Sequence, residues 1–385
     1  MTSTLELPVE TRQLSVDVSG LLEIAPQGHG ILRARADTPS ADDVRVPAEL
    51  IRRHRLRRGD ALEGVCDPPR VLSGVVRVNG RFPDTLRDRP HFRDLTPLHP
   101  RQRLRLETPT GGPAPRLVDL VAPIGKGQRG LLVAPPKAGK TVLLRQLADA
   151  IAVNHPECLL MVVLVDERPE EVTEMRRSVR GEVLASTFDR PAREHVALAD
   201  LAIERAKRLV EQGQDVVVLL DSLTRLCRAH NNASAGSGRI LSGGVDAAAP
   251  LGPKRLFGAA RLTEEGGSLT ILATALVETG SRADDYFFEE LKGTGNMELR
   301  LDRALADRRV HPAVDIQASG TRREELLLPD AELRAIRGLR RALLSRNDPR
   351  AALETLLGRL RRTPDNAAFL RTVQLTVPHG REPVG

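Results

Sequence analysis

The clearest chemical signal in the sequence is the run 134–141, which reads APPKAGKT. An apolar run typical of a strand precedes it and a helical run, 142–152, follows it, which is the setting that a phosphate-binding loop requires. Backbone N–H groups and the helix N-terminus of such a loop surround phosphate oxygens. We expect Lys140 to reach the β- and γ-phosphates of ATP and the Thr141 hydroxyl to bind Mg²⁺. The general pattern begins with glycine, where this chain has Ala134, and the alternative is a Gly-Lys turn that only caps a helix.

Two acidic residues at the ends of apolar runs could complete this chemistry. Asp221 follows the run 216–220, and a carboxylate at the end of a neighbouring strand would complete the Mg²⁺ shell. Glu167 follows the run 164–166, and a carboxylate there could orient or deprotonate the water that attacks the γ-phosphate. Charged strand ends are most often solvated turns, so both assignments depend on the phosphate loop beside them.

These side chains would be positioned by buried strands, which predict an α/β fold. Four runs lack polar alternation, which is typical of parallel strands covered by helices on both faces. They are 130–133, 159–165, 216–220 and 268–276. Beyond Pro329 the pattern is helical, and Asp330 can cap its first segment. The apolar side of that segment consists of Leu333, Ile336, Leu339 and Leu343, and the prolines at first-turn positions are Pro349 and Pro364.

The N-terminal part has the pattern of a small antiparallel barrel. Five short apolar or alternating runs lie between Gly20 and about Arg81, and the oligonucleotide-binding (OB) fold is the commonest barrel of that size. A proline-rich stretch that follows is typical of a linker. We therefore predict a tail, an OB-fold RNA-binding domain, a linker, an ATPase domain and a helical segment. Their bounds are 1–18, 19–82, 83–116, 117–330 and 331–385.

Composition narrows the classes of function. Lys and Arg total 58 of the 385 residues against 51 Asp and Glu, and the formal charge of +7 is compatible with a nucleic-acid partner. No apolar run approaches the roughly 20 residues of a membrane helix, and no secretory signal is evident. We therefore expect a cytoplasmic protein without a membrane partner. Cys66, Cys158 and Cys227 lack metal-type spacing, which predicts reduced packing residues.

Several longer runs resemble the bacterial Rho family of transcription termination factors. They are 130–141, 165–175, 220–225, 254–261, 293–298 and 319–326. The likeness is nearly continuous from about residue 95 to residue 328. It implies a RecA-like ATPase domain in each subunit of a homohexamer, with ATP bound at the subunit interfaces.

The resemblance also assigns residues to the ATP pocket. By position they are Gly125, Lys126, Gly127, Gln128, Arg129, Gly130, Lys137, Ala138, Gly139, Lys140, Thr141, Val142, Arg168 and His311. His311 stands where the family has an aromatic residue against adenine, which implies a looser preference for ATP. Arg322 matches the arginine finger that the neighbouring subunit supplies, with Arg309 as a second interface arginine. The planar, permanently charged guanidinium suits developing phosphate charge.

Two loops that line the central hole of the ring are implied as RNA contacts. The first contains Arg239, Ile240, Leu241, Ser242, Gly243 and Gly244, and the second ends in Arg282. Both arginines stand at positions that are usually lysine in the family. Glycine N–H groups and a cation can follow phosphates without reading bases. The alternative is a plain surface loop.

The barrel resembles the primary RNA-binding domain of the family but lacks its aromatic residues. The matching positions are Gly28, His29, Gly30, Ile31, Leu32, Arg33, Asp43, Val44 and Arg45. His29, Ile31, Arg45 and roughly Leu72 replace aromatics on which bases would stack. A cluster of arginines between residues 52 and 58 adds positive charge.

These observations predict an ATP-dependent, RNA-stimulated 5′-to-3′ RNA translocase and helicase. It would end transcription by binding nascent single-stranded RNA and releasing it from the RNA polymerase elongation complex. The alternative is a regulatory RNA-binding ring whose ATP use mainly controls assembly, which the replaced barrel aromatics favour. A proton-driven rotary ATPase subunit shares the RecA-like core, but the barrel and the finger region do not suit it.

Overall fold

The chain divides between Arg89 and Pro90 into two structural units. The computed structural model describes residues 16–25, 27–68, 70–233, 240–241, 244–344 and 348–376. The boundary lies inside the segment predicted as a linker, and the part of that segment from Pro90 onward belongs to the second unit.

The first unit is built on a closed five-stranded barrel. Its elements are β1 (Val16–Ile24), β2 (Gly30–Arg33), β3 (Val44–Val46), α1 (Ala48–Arg53), β4 (Ala61–Asp67) and β5 (Val71–Val78). The strands pair in the order β1-β2-β3-β5-β4, with β3 parallel to β5 and the other pairs antiparallel. The predicted OB-type barrel is thereby confirmed. Gly64 is required where β4 meets β5, because a Cβ there would lie 2.3 Å from the carbonyl oxygen of Gly74.

The second unit alternates strands and helices. Its elements up to the phosphate loop are β6 (Pro97–Leu98), β7 (Arg103–Leu104), α2 (Pro113–Val121), β8 (Ile124–Gly125) and β9 (Arg129–Ala134). Next come α3 (Lys140–Asn154), β10 (Leu159–Glu167), α4 (Pro169–Ser178), β11 (Glu182–Thr187), α5 (Ala192–Val210), β12 (Asp215–Asp221) and α6 (Leu223–Ala233). The remaining strands and their helices are β13 (Ile240–Leu241), β14 (Val245–Asp246), α7 (Leu251–Phe257), β15 (Arg261–Thr263), β16 (Ser268–Leu276), α8 (Arg282–Lys292), β17 (Met297–Leu301), α9 (Arg303–Asp307) and β18 (Val314–Thr321).

A mainly parallel sheet with the order β11-β10-β12-β16-β9-β17-β18 forms the centre of this unit. The first six strands run parallel and β18 is antiparallel to β17. The four predicted apolar runs all lie in these parallel strands, so the predicted parallel sheet is confirmed. We call the side where Ala134 and Asp221 end their strands the carboxyl edge, and the side where Arg129 and Asp215 begin theirs the amino edge.

Three helices complete the described chain, and they are α10 (Asp330–Leu344), α11 (Pro349–Arg361) and α12 (Asn366–Thr376). The predicted apolar side of α10 is buried in the core that it shares with the sheet. Asp348 caps α11 by accepting from the N–H groups of Arg350 and Ala351, and Pro349 occupies the first turn. The chain after Pro329 is helical as predicted, but Pro364 lies two residues before α12 begins at Asn366, so the prediction that it occupies a first turn is wrong.

Candidate ATP site and RNA-binding surfaces

The phosphate loop connects β9 to α3 at the carboxyl edge. Lys137 (φ 66°) and Gly139 (φ 93°) adopt the left-handed conformation, which turns the loop back toward the start of the helix. Since α3 begins at Lys140, its first N–H groups have no partner within the helix and favour an anion. The loop therefore has the local geometry that phosphate binding requires.

Lys140 and Asp221 contact each other beside this loop. The Lys140 ammonium donates to Asp221 Oδ1, and Asp221 is 2% exposed. Thr274 on β16 donates to the same carboxylate oxygen at 2.8 Å. Parallel pairing places β9, β16 and β12 side by side, so Lys140 and Thr274 both reach the Asp221 carboxylate. Carboxylate and hydroxyl oxygens suit Mg²⁺, and Lys140 with the loop N–H groups suits phosphate, so the side chains of Thr141 and Asp221 fit a magnesium-bound triphosphate.

Glu167 is buried at the end of β10. The pairing of β10 with β11 shifts register between Val165 and Glu167, and Asp166 within this bulge has φ 57°. Bulges of this kind re-aim a side chain. Glu167 Oε1 accepts from the N–H of Arg168 at 3.1 Å, whereas Oε2 is buried without a hydrogen-bond partner among the described residues. A buried carboxylate oxygen with free acceptor capacity can orient a water molecule.

Arg225, on the first turn of α6, was not singled out from the sequence. Its guanidinium lies 3.1 Å from Glu167 Oε1 and also donates to the carbonyl oxygen of Asp166. Burial raises the pKa of Glu167 above its ordinary value, and the Arg225 charge only partly offsets this effect. Arg225 lies in the run 220–225 that carried part of the resemblance, so its signal was present although its contact could not be read from the pattern.

Arg168, Arg309 and His311 also lie toward the carboxyl edge. Arg168 immediately follows Glu167 and its side chain is 66% exposed. A Cβ on Gly139 would lie 3.8 Å from His311 Nδ1, so the imidazole stands beside the phosphate loop. Arg309 is exposed two residues before it. Val142, on the first turn of α3, is 52% exposed, which leaves an apolar surface near the same loop.

The run Gly125 to Gly130 lies instead at the amino edge. Lys126 donates to Asp215 Oδ2 at 2.7 Å, and Asp215 is the first residue of β12. Five residue steps along β9 separate Arg129 from Ala134, which is about 17 Å at the usual rise of a strand. The prediction that this run lines the ATP pocket therefore stays a prediction, and β9 carries the chain across the sheet between this run and the phosphate loop of the same subunit.

Arg322 lies at the amino edge as well. Thr321, the last residue of β18, pairs with Met297, the first residue of β17, and the Arg322 N–H donates to the carbonyl oxygen of Asn296 at 2.9 Å. The Arg322 side chain is exposed, and within the described ranges its guanidinium has no ion-pair partner. Arg322 and the phosphate loop of the same subunit are thus at opposite edges of one sheet.

On the barrel, part of the predicted RNA-binding set is on the outside. Ile31 on β2 lies directly opposite Arg45 on β3, and Arg45 is exposed. Arg33 is held by Asp43 at 2.7 Å and by Glu23 at 2.8 Å. Two nearby positions precede β2, with Gly28 (φ 85°) in an exposed turn and His29 half-buried.

The other predicted barrel residues point into the core. Leu32 and Val44 are each 1% exposed, and a Cβ on Gly30 would lie 2.7 Å from Leu22. Leu72, expected to replace a stacking aromatic, is 1% exposed in the same core. The prediction that Leu32 and Val44 contact RNA is wrong for their side chains, because strand alternation turns every second residue inward.

Of the two predicted hole loops, the first is described only in part. Arg239, Ser242 and Gly243 lie outside the described residues. Ile240 and Leu241 form β13, which pairs with β14, and Gly244 has φ 74°. In the second loop, Arg282 is exposed at the start of α8, where the Ser281 hydroxyl accepts from the Asp284 N–H.

Asp284 connects this second loop to α6. It is fully buried and binds the Arg228 guanidinium at 2.8 Å and the Thr279 hydroxyl at 2.6 Å. The loop that carries Arg282 is therefore fixed to the helix that also carries Arg225.

Every helix in the described part of the chain is too short or too polar to span a membrane.

Two family models match the chain, one in each unit. Residues 18–84 match the Rho termination factor RNA-binding domain, and residues 115–321 match the nucleotide-binding domain of the ATP synthase alpha/beta family. Solved structures show the same core fold. EscN, the type III secretion system ATPase of enteropathogenic E. coli, has a TM-score of 0.61 at 21% identity, covering 81% of this chain and 78% of that one. A prototypical ATPase from the type III secretion system of pathogenic bacteria has a TM-score of 0.60 at 22% identity, covering 74% and 87%.

Full-length similarity is much higher to proteins named transcription termination factor Rho. The protein of that name from Streptomyces coelicolor is 69% identical over 99% of this chain and 91% of its own length. The one from Streptosporangium roseum is 60% identical over 96% and 95%, and the one from Mycobacterium tuberculosis is 55% identical over 94% and 62%. The chain therefore belongs to the transcription termination factor Rho family.

Proposed function

We propose that this protein is a transcription termination factor that hydrolyses ATP to move 5′-to-3′ along RNA and to release the transcript from RNA polymerase. The observation that carries the proposal is the placement of Glu167, Lys140 and Asp221 at the carboxyl edge and of Arg322 at the amino edge of the same sheet. An ATP site that needs both sets of residues is complete only between two subunits. ATP hydrolysis would then require that subunits assemble into a ring.

In this proposal the residues at the carboxyl edge carry the hydrolysis chemistry. Mg²⁺, when bound, neutralises charge on the β- and γ-phosphate oxygens, and Thr141 and Asp221 would hold it. Lys140, already paired with Asp221, exchanges this partner for phosphate oxygens. Glu167 Oε2 accepts a proton from the attacking water, while Arg225 holds Oε1 and thereby orients the carboxylate. Val142 and His311 would contact the purine base.

The guanidinium of Arg322 would meet the triphosphate of a neighbouring subunit. Its exposure and its distance from its own loop support this assignment, because a finger that acts in trans must project from the subunit surface. Arg309 would act as a second interface arginine. A homohexamer places one such junction between each pair of neighbours.

RNA would be bound at two places. The hole loops, including Arg282, would bind RNA phosphates in turn as successive ATP sites hydrolyse ATP. The contact of Asp284 with Arg228 supports a mechanical link between Arg282 and α6. The barrel would bind a second stretch of the RNA through Arg45 and neighbouring groups. The core position of Leu32, Val44 and Leu72 leaves cations, rather than stacked rings, as the main contacts of this surface.

The decisive experiment uses RNA–DNA hybrids with a single-stranded RNA tail on either the 5′ or the 3′ side. We expect ATP-dependent displacement of the DNA strand only with the 5′ tail, with the 3′ tail as the matched control. Stalled elongation complexes should release RNA on addition of protein and ATP, and Glu167→Gln should abolish both activities. Displacement that is independent of tail position or of ATP would refute the proposal.

The second candidate, a regulatory RNA-binding ring, is favoured only by the absence of aromatic side chains at the barrel positions above. The rate of ATP hydrolysis with and without RNA separates the two. A translocase should hydrolyse ATP faster when RNA fills the hole, whereas an assembly-controlling ATPase should respond to protein concentration and not to RNA.

A further inference from the structure

Asn296 joins three strands at the amino edge, immediately before β17. Its N–H donates to the carbonyl oxygen of Arg129 at 2.9 Å, and its side-chain Oδ1 accepts from the Arg129 N–H at 2.9 Å. Its own carbonyl oxygen accepts from the Arg322 N–H at 2.9 Å. Asn296 therefore fixes the main chain at the start of β9 and the main chain just after β18 relative to each other.

Gln128 holds Asn296 in this position. Its side chain is 1% exposed, and its Nε2 donates to Asn296 Oδ1 at 2.6 Å and to the Asn296 carbonyl oxygen at 3.3 Å. At the other end of the amide, Oε1 accepts from the Gly125 N–H at 3.2 Å. A buried amide that is bonded at both ends has one favourable orientation, so it makes this junction rigid.

The charge around Arg322 makes a rigid junction necessary. The Arg129 guanidinium is held by the carbonyl oxygens of Thr294 at 2.9 Å and Ala260 at 3.1 Å. Burial, together with the neighbouring Arg261 and Arg322 cations, lowers the pKa of Arg129. Like charges repel, and an exposed arginine on a mobile backbone would move away from this cluster.

We propose that Gln128 and Asn296 are positioning residues for hydrolysis, which fix the backbone of Arg322 so that its guanidinium meets the triphosphate held by the neighbouring subunit. The inference rests on the proposed function, in which Arg322 acts in trans. It also gives the run Gly125 to Gly130 a role at the amino edge, where Gln128 and Arg129 contact Asn296 and thereby support the backbone of Arg322. Gln128 and Asn296 do not touch the reacting atoms.

Removal of either amide should lower turnover and leave ATP binding unchanged. Misplacement of a reacting group by about 1 Å can cost about 100-fold in rate, so we expect a loss of that order in Asn296→Ala and Gln128→Met. Asn296→Asp keeps an oxygen that can accept from the Arg129 N–H and from Gln128 Nε2, so this variant should retain most activity. Gln317→Met, the same change at an exposed position on β18, is the matched control. Affinity for a fluorescent ATP analogue checks that the pocket and the fold of each variant persist.

Mixed rings then test whether the defect is in cis or in trans. Asn296→Ala mixed with Lys140→Ala should regain activity, because some junctions pair an intact loop with an intact finger. Asn296→Ala mixed with Arg322→Gln should regain none, because both variants damage the finger side. The reverse pattern would overturn the inference and return Gln128 and Asn296 to the pocket of their own subunit.

A third mixture separates this inference from the proposed function. Arg322→Gln with Lys140→Ala must regain activity if the finger acts in trans, and no recovery in rings verified as mixed by native mass spectrometry would overturn both. If that mixture regains activity, but Asn296→Ala regains activity with Arg322→Gln and not with Lys140→Ala, only the positioning role is overturned. If Asn296→Ala does not fold, Gln128→Met in the same mixtures gives the same decision.

Discussion

Glu167→Gln is the substitution that separates ATP binding from hydrolysis most cleanly. The amide oxygen of Gln can still accept from the Arg168 N–H and from Arg225, so the end of β10 should keep its conformation. The amide nitrogen would occupy the place of Oε2 and cannot accept a proton from water. Loss of a general base typically costs about 10²–10⁴-fold, so turnover should fall by that factor while ATP affinity stays unchanged.

Glu167→Gln should also change the stability of the protein, and it should raise stability although it lowers turnover. Burial raises the pKa of Glu167 in the folded protein, so ionisation of this carboxyl at neutral pH opposes folding. A carboxyl with a raised folded pKa contributes stability below its unfolded pKa and loses that contribution as the pH rises through the folded pKa. Glu167→Gln should therefore melt at a higher temperature than the wild type at neutral pH, and the difference should shrink as the pH is lowered.

Single-turnover hydrolysis, equilibrium binding of a fluorescent ATP analogue and thermal melts at several pH values test this reasoning together. Glu170→Gln, the same change at an exposed position on the first turn of α4, is the control and should match the wild type in all three. Turnover of Glu167→Gln close to the wild-type rate would refute the base assignment. A parallel loss of ATP affinity would show that the carboxylate has a structural role instead.

Three further predictions concern the loop, the finger and the barrel. Lys140→Met removes the ammonium beside the phosphate loop and should lower kcat by at least about 100-fold in a steady-state ATPase assay, as loss of a transition-state donor does. Arg322→Gln should lower kcat by about 10³–10⁵-fold with little change in ATP affinity. The neighbouring Arg323→Gln is the control and should have little effect, because the Arg323 guanidinium donates to Glu325 at 2.6 Å. Equal losses of kcat in the two variants would contradict the finger assignment. Arg45→Ala should lower the affinity for single-stranded RNA and reduce the slope of log K against log salt concentration by about 0.7, measured by fluorescence anisotropy; an unchanged slope would exclude phosphate contact by Arg45.

The sequence predicts the parts of this fold that depend on local pattern. Buried parallel strands lack polar alternation, so the four central runs were visible, and the five barrel runs were separated by turn residues. Strands β11, β17 and β18 were not predicted. β17 alternates regularly but over only five residues, whereas β11 and β18 are the outer strands of this order and are buried unevenly. A half-buried edge strand has no pattern that differs clearly from a loop.

Contacts between distant parts of the chain are the part of the site that the sequence pattern does not give. Gly125 to Gly130 lies close to the phosphate loop in sequence, yet an extended strand moves the chain by about 3.3 Å per residue and carries it to the other edge. Arg225 was missed for the converse reason: it is far from Glu167 in sequence but parallel pairing places the ends of β10 and β12 side by side. The resemblance assigns Leu32 and Val44 to the RNA surface by their position in the family motif. Such a match does not indicate which face of the strand a side chain occupies, and both side chains are buried.

In the proposed mechanism, the position of Arg322 leaves an isolated subunit without an arginine finger at its own phosphate loop. β18 returns antiparallel to β17, so the residue that follows it emerges at the amino edge, across the sheet from Lys140 of the same chain. No local rearrangement of a side chain can cross that distance, because an arginine reaches about 7 Å from its Cα whereas β9 alone spans about 17 Å. The sheet therefore separates Arg322 from Lys140, Glu167 and Asp221 of the same chain. Under the proposed function a second copy of the chain brings them together, and the side-chain amides of Gln128 and Asn296 lie where the backbone of Arg322 must be held rigid for that junction to work.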